Sequence, residues 1–154
     1  MKKVLIALDY GISAQKIAEK GYALAKSMNA KVTLLHVVAD DFYYSAMDSA
    51  PFVGFYGYDF FDVAENNYTL IESSLNFLEK IKSNLNDSSI EIIAEQGDFA
   101  SVILDIALTR NFDIIVVGSH SHNWLEKAIM GSVTESVLAK TDIPMFIIPV
   151  KEHN

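Results

Sequence analysis

The chain has no cysteine in its 154 residues. That excludes disulfides, thiolate chemistry and cysteine-based zinc sites, and it fits a reducing compartment. Basic residues are scarce, with 12 Lys+Arg against 20 Asp+Glu and a formal net charge of -8. A surface this acidic repels both nucleic-acid backbone and anionic membrane, so neither is expected as a partner. Long apolar runs are also missing. The opening MKKVLIALDY holds only Val4 to Leu8 before Asp9, too short for a secretory signal and far too short for a membrane span. A cytoplasmic protein is expected. Proline and glycine are few (Pro 3, Gly 7) and mark no linker. No internal repeat is visible, so 1–154 reads as one domain with an aromatic-rich insertion at 39–62. Hydrophobic residues at 51% and charged residues at 21% are a globular composition.

Short apolar runs alternate with stretches of helical periodicity. Val4–Leu8, Lys31–Val38, Ile90–Ala94, Asp113–Val117 and Met145–Val150 read as strands. Between them, Ser13 to Met28 places Ile17, Ala18, Tyr22, Leu24, Ala25 and Met28 at helical spacing, with Ser13 as N-cap. Val63 to Leu85 aligns Leu70, Ile71, Leu75, Leu78, Ile81 and Leu85 on one side. A third helix runs from about Phe99 to Thr109 behind Asp98 as cap, and a fourth opens at Gly131-Ser132 and runs to about Lys140. Continuously apolar strands between amphipathic helices indicate a parallel sheet covered on both faces. The expected fold is α/β, a five-stranded doubly wound parallel sheet sandwich. Such sheets bind ligands beyond the carboxyl ends of their strands, where the strand order reverses. The turns after Leu8, Val38 and Val117 are therefore the ones to inspect.

The most informative constellation follows the fourth strand, in GSHSHNWLEKAIMGSVTESVL. Gly118 sits just past the apolar run, where a backbone can approach a ligand closely. Ser121 follows, and then Gly131 and Ser132 at a helix start, where unpaired amides and the positive dipole end suit a phosphate. A second reading needs no ligand: Ser132 and Glu135 have the spacing of a capping box. Asp9 reads as a cap on the turn before Ser13.

These blocks resemble the universal stress protein family. The likeness covers nearly the whole chain: VLIALDYGIS, KVTLLHVV, EQGDFASVILDIA, and FDIIVVGSHSHNWLEKAIMGSVTESVL followed by IPMFIIPV. The ATP-binding branch of that family carries G-x2-G-x9-G-[ST], and this chain reads Gly118-x2-Ser121-x9-Gly131-Ser132, with serine in place of the second glycine. The resemblance implies a nucleotide across the ends of strands one, two and four. Asp9 would meet the ribose, Ala7 and Leu8 the base, and the Val37 backbone the adenine edge. Gly118, Ser119, His120, Ser121, Gly131, Ser132 and Val133 would surround the phosphates. The expected ligand is ATP or ADP, with Mg²⁺ to offset the missing cations. At Ser121 a Cβ costs about 1 kcal/mol if close approach or positive φ is needed, whereas its hydroxyl can donate to a phosphate. Members of the family without the pattern do not bind ATP. The alternative is thus a homodimeric interaction module without nucleotide.

Nine of the 17 aromatics fall within 42–61, from Phe42, Tyr43 and Tyr44 to Phe60 and Phe61. This segment reads either as a lid or protein-docking surface, or as a long loop burying its own rings. His36, His120 and His122 lack the further ligands a metal site requires, so no metal is expected. The last strand carries Pro144 and Pro149, which suit a sheet edge. Universal stress proteins commonly dimerise through this strand, which implies a homodimer through 144–150. No G-x-S-x-G elbow and no Walker lysine occur. The chain reads as a regulatory binding protein and not an enzyme, with slow incidental ATP hydrolysis at most.

Overall fold

The structure is a computed structural model, and it describes residues 1–39, 67–119 and 131–150. Five strands alternate with four helices: β1 (Lys3–Leu8), α1 (Ala14–Ser27), β2 (Lys31–Val38), α2 (Asn67–Leu85), β3 (Glu91–Gln96), α3 (Phe99–Thr109), β4 (Ile114–Gly118), α4 (Ser132–Lys140) and β5 (Met145–Ile148). The α/β fold is the expected one, and each strand lies within two residues of where its apolar run placed it. The aromatic-rich segment 42–61 and the start of the second helix before Asn67 lie outside the described residues.

All strands pair in parallel, in the order β3-β2-β1-β4-β5. The chain builds outward from β1 to β3, then returns to add β4 on the other side. The strand order therefore reverses between β1 and β4, and their carboxyl ends, Leu8 and Gly118, flank the switch point. The sheet has a core on each face. Val4, Ile6, Leu34 and Val116 meet Ile17, Ala18 and Ala25 of α1 and Leu78 and Ile81 of α2. Leu5, Leu35, Ile115 and Val117 meet Ile103, Ile106 and Ala107 of α3 and Val137 of α4. Burial on both sides is why β1 and β4 read as unbroken apolar runs.

The helix ends are set locally. Asp98 accepts from the Ser101 amide at 3.0 Å and holds the first turn of α3, as its sequence position suggests. Ser13 stands at the N-cap of α1 but makes no side-chain cap bond. Three helices stop at an asparagine in the left-handed region: Asn29, Asn86 and Asn111, at φ 52, 53 and 54. Asparagine tolerates that conformation better than other residues bearing a Cβ. Beyond two of these stops the chain reaches back into the helix, Ala30 N to Ala25 O and Phe112 N to Ala107 O, both 2.9 Å. α1 and α3 are thus ended within a residue or two of the next strand.

Candidate functional site

β1 ends at Leu8, and the chain turns at once. The Asp9 carboxylate accepts from the Gly11 amide at 3.0 Å, and Gly11 O accepts from Ala14 N at 3.0 Å. The turn-capping role of Asp9 is therefore real. Ala7 and Asp9 are half-buried and Leu8 is buried. The β1–β2 ladder closes at Leu8↔His36, yet β2 runs on to Val38, paired with Gln96 of β3. Val37 thus stands one residue past the last β1 partner, at the sheet edge that faces the turn after β1.

On the other side of the switch point, β4 and α4 are sewn together. Gly131 N donates to Ser119 O at 2.6 Å, and the Thr134 hydroxyl donates to Gly118 O at 2.8 Å. Ser119 N continues the ladder to Ile148 O at 2.9 Å, and the Ser119 hydroxyl accepts from Val150 N at 2.9 Å. Of the expected phosphate-facing groups, the Gly131 and Ser119 amides are thus committed within the protein. The N-cap of α4 is Gly131, with no side-chain cap bond, and Ser132 is the first helical residue. That corrects the capping-box reading of Ser132 and Glu135: Ser132 lies one position too late to cap. The amides at the start of an α-helix have no acceptor within it, and here Ser132 and Val133 carry the first of them. The Ser132 side chain is exposed, while Val133 packs against the α3–α4 core.

Gly118 has a reason to be glycine that the sequence alone did not reveal. Its φ is not positive. A Cβ there would lie 2.5 Å from Ile17 Cδ1 and 3.3 Å from Val150 Cγ2. The close approach at Gly118 is by α1. His120 and Ser121 lie outside the described residues. Among the described residues of these turns, Asp9–Ser13, Gly118–Ser119 and Gly131–Val133, none is lysine or arginine. The electrostatic attraction available to an anion there is the helix dipole and amides.

His36 sits at the end of β2, only 3% exposed. Its Nδ1 is 2.8 Å from the Ser74 hydroxyl, which lies 3.1 Å from the Tyr10 hydroxyl. Burial alone pushes the imidazole down to about 4, so the ring is neutral at neutral pH. The strand-end packing expected of His36 is what the structure shows. Ser74 and Tyr10 were not singled out from the sequence. The signal was present: Ser74 lies one turn ahead of Phe77 and Leu78, in line with the apolar stripe that runs on through Ile81 and Leu85 along α2.

A sequence model of the universal stress protein family matches residues 1–149. Universal stress protein A of Escherichia coli strain K12 is 25% identical over 152 residues, 99% of this chain and 96% of that one. Among solved structures, the hypothetical protein MJ0577 superposes with a TM-score of 0.76 at 27% identity, over 99% of this chain and 98% of that one. A universal stress protein in complex with cAMP superposes with a TM-score of 0.61 at 15% identity, over 96% and 95%. At that identity the likeness is one of fold.

Proposed function

The chain belongs to the universal stress protein family, and from that premise we propose that it is a nucleotide-binding regulatory protein of the stress response, taking ATP or ADP at the switch point between β1 and β4. The observation that carries this reading is the start of α4. It opens on a glycine with no side-chain cap, and it is tied by Gly131 N to the end of β4. The helix therefore begins beside the end of β4, where doubly wound sheets bind ligands, and the first amides of a helix suit an anion. That a relative of this fold is solved with cAMP accords with the reading. Asp9 stands in the turn directly after β1, where a carboxylate can meet a ribose hydroxyl, and Val37 lies one residue beyond the β1 ladder. Mg²⁺ would supply the positive charge that the described residues of these turns lack. No described group there is placed to neutralise a leaving phosphate, so the role is binding and signalling by occupancy. The cysteine-free, acidic composition fits a cytoplasmic setting, and among the described residues no helix is long and apolar enough to cross a membrane.

The test is direct. The protein is denatured, its supernatant is resolved by ion exchange, and refolded protein is melted with and without millimolar Mg-ATP. Bound adenine nucleotide, or a rise in Tm, is the expected outcome. Neither appearing would reject the proposal and leave the interaction module.

The assembly we propose is a homodimer through 144–150. β5 is the edge strand beside β4, and Phe146 on it is 44% exposed. Sedimentation velocity at micromolar concentration should give a dimer, and Phe146→Lys should shift it toward monomer. A wild-type monomer would refute the assembly without touching the nucleotide proposal.

A further inference from the structure

Behind the turn that carries Asp9, three elements meet at one buried hydroxyl. Ser74 of α2 is fully buried, and its Oγ is 3.1 Å from the Tyr10 hydroxyl and 2.8 Å from His36 Nδ1. Tyr10 comes directly after Asp9, and His36 is the β2 residue paired with Leu8 at the end of β1. The rings pack as a cluster. Tyr10 and His36 have centroids 4.2 Å apart, Tyr10 and Phe77 4.8 Å, and His36 and Phe77 5.6 Å. Phe77 lies one turn beyond Ser74 on the same helix, so α2 holds Tyr10 both by a hydroxyl and by a ring.

A buried serine in an apolar stripe is costly unless its hydrogen bonds are made. Here both are made, and both lead to the carboxyl end of the sheet rather than to the middle of the core. A satisfied polar chain of this kind specifies one arrangement where apolar packing would permit several. The arrangement it specifies is that of Tyr10, and hence of the peptide that presents the Asp9 carboxylate.

We propose that the buried Tyr10–Ser74–His36 chain is a positioning device, through which α2 holds the turn after β1 in the conformation that presents Asp9 to a nucleotide. This deepens the nucleotide reading and rests on it. The chain touches no ligand itself: these are positioning residues.

The experiment compares wild type, Tyr10→Phe, Ser74→Ala and the double variant, with Ile81→Val as control. Ile81 is buried on α2 two turns beyond Ser74 and makes no contact with the chain's hydroxyls, so its variant lowers stability without touching the device. Two readouts are taken: Mg-ATP affinity by calorimetry, and amide hydrogen exchange of the ligand-free proteins. Each single variant should weaken Mg-ATP roughly tenfold, and the double variant no further, because both breaks open one chain. Exchange of the Gly11 and Ala14 amides should quicken in Tyr10→Phe and Ser74→Ala but not in Ile81→Val. If wild type fails to bind Mg-ATP, the nucleotide reading falls, and the exchange arm alone decides whether the chain positions the turn. Should Ser74→Ala not fold, Tyr10→Phe carries both readouts. Affinity and exchange in Tyr10→Phe matching those of Ile81→Val would overturn the proposal.

Discussion

Lowering the pH from 7.5 to 5 should cost the wild-type protein about 2 kcal/mol of stability that a His36→Gln variant does not lose. The reason is the buried imidazole at the end of β2. In the folded protein it titrates at about 4, against 6.5 for an unhindered histidine, because burial disfavours its charged form. Between those two values the unfolded chain binds more protons than the folded one, so acid favours unfolding. The contribution is whole above pH 6.5, declines as pH falls, and is gone near pH 4. Protonation has a second consequence in the bonding. Charged imidazole can only donate at Nδ1, so the Ser74 hydroxyl would have to accept there and turn its own hydrogen toward Tyr10. Glutamine fills similar space, keeps polar groups near Ser74 and does not titrate. Urea unfolding of both proteins at pH 7.5 and pH 5 measures the difference. Equal losses in the two proteins would mean that His36 titrates normally and that the site is wetter than its 3% exposure implies.

Gly118→Val should destabilise the protein by about 3 kcal/mol, and the cause should be Ile17 rather than any lost backbone freedom. The φ of Gly118 is not in the left-handed region, so a side chain is not excluded by conformation. It is excluded by space. The nearest atom to a new Cβ would be Ile17 Cδ1 at 2.5 Å, and Ile17 is itself buried in the α1 core. The far end of an isoleucine can move when there is somewhere to go, but here Val150 closes the other side at 3.3 Å. A compensating change therefore exists. Ile17→Val removes the offending methyl, and the pair Gly118→Ala with Ile17→Val should cost about 1 kcal/mol less than the two single changes summed. Denaturant unfolding of the four proteins closes the cycle. Strict additivity would show that something other than this contact demands glycine at 118.

The two cases mark what the residues alone could and could not disclose. Short apolar runs located the described strands and 3.6-residue spacing located α1 to α3, because burial on both faces writes an apolar run into β1 and β4, and one buried stripe writes helical spacing into α1 and α3. The turns worth inspecting followed from the order of those elements alone. Long-range contacts were hidden. Gly118 resembled a ligand-approach glycine in sequence because a missing Cβ looks the same whether a phosphate or Ile17 fills the space. The Ser132–Glu135 spacing matched a capping box, yet the helix begins one residue too early for it, since Gly131 is drawn to Ser119 and takes the cap position. Ser74 was passed over because a lone serine in a helix is ordinarily on the solvent side. Only the sheet order places it behind Tyr10 and His36.

The bond from Gly131 N to Ser119 O has one more consequence. It clasps the residue after β4 to the cap of α4, so strand and helix are joined by main-chain atoms alone. The register that pairs Ile115 with Met145 and Gly118 with Ile148 is thereby carried straight into the first turn of α4. Such a clasp fixes where α4 begins without any side chain, so substitutions at Ser132 leave the helix start where it is.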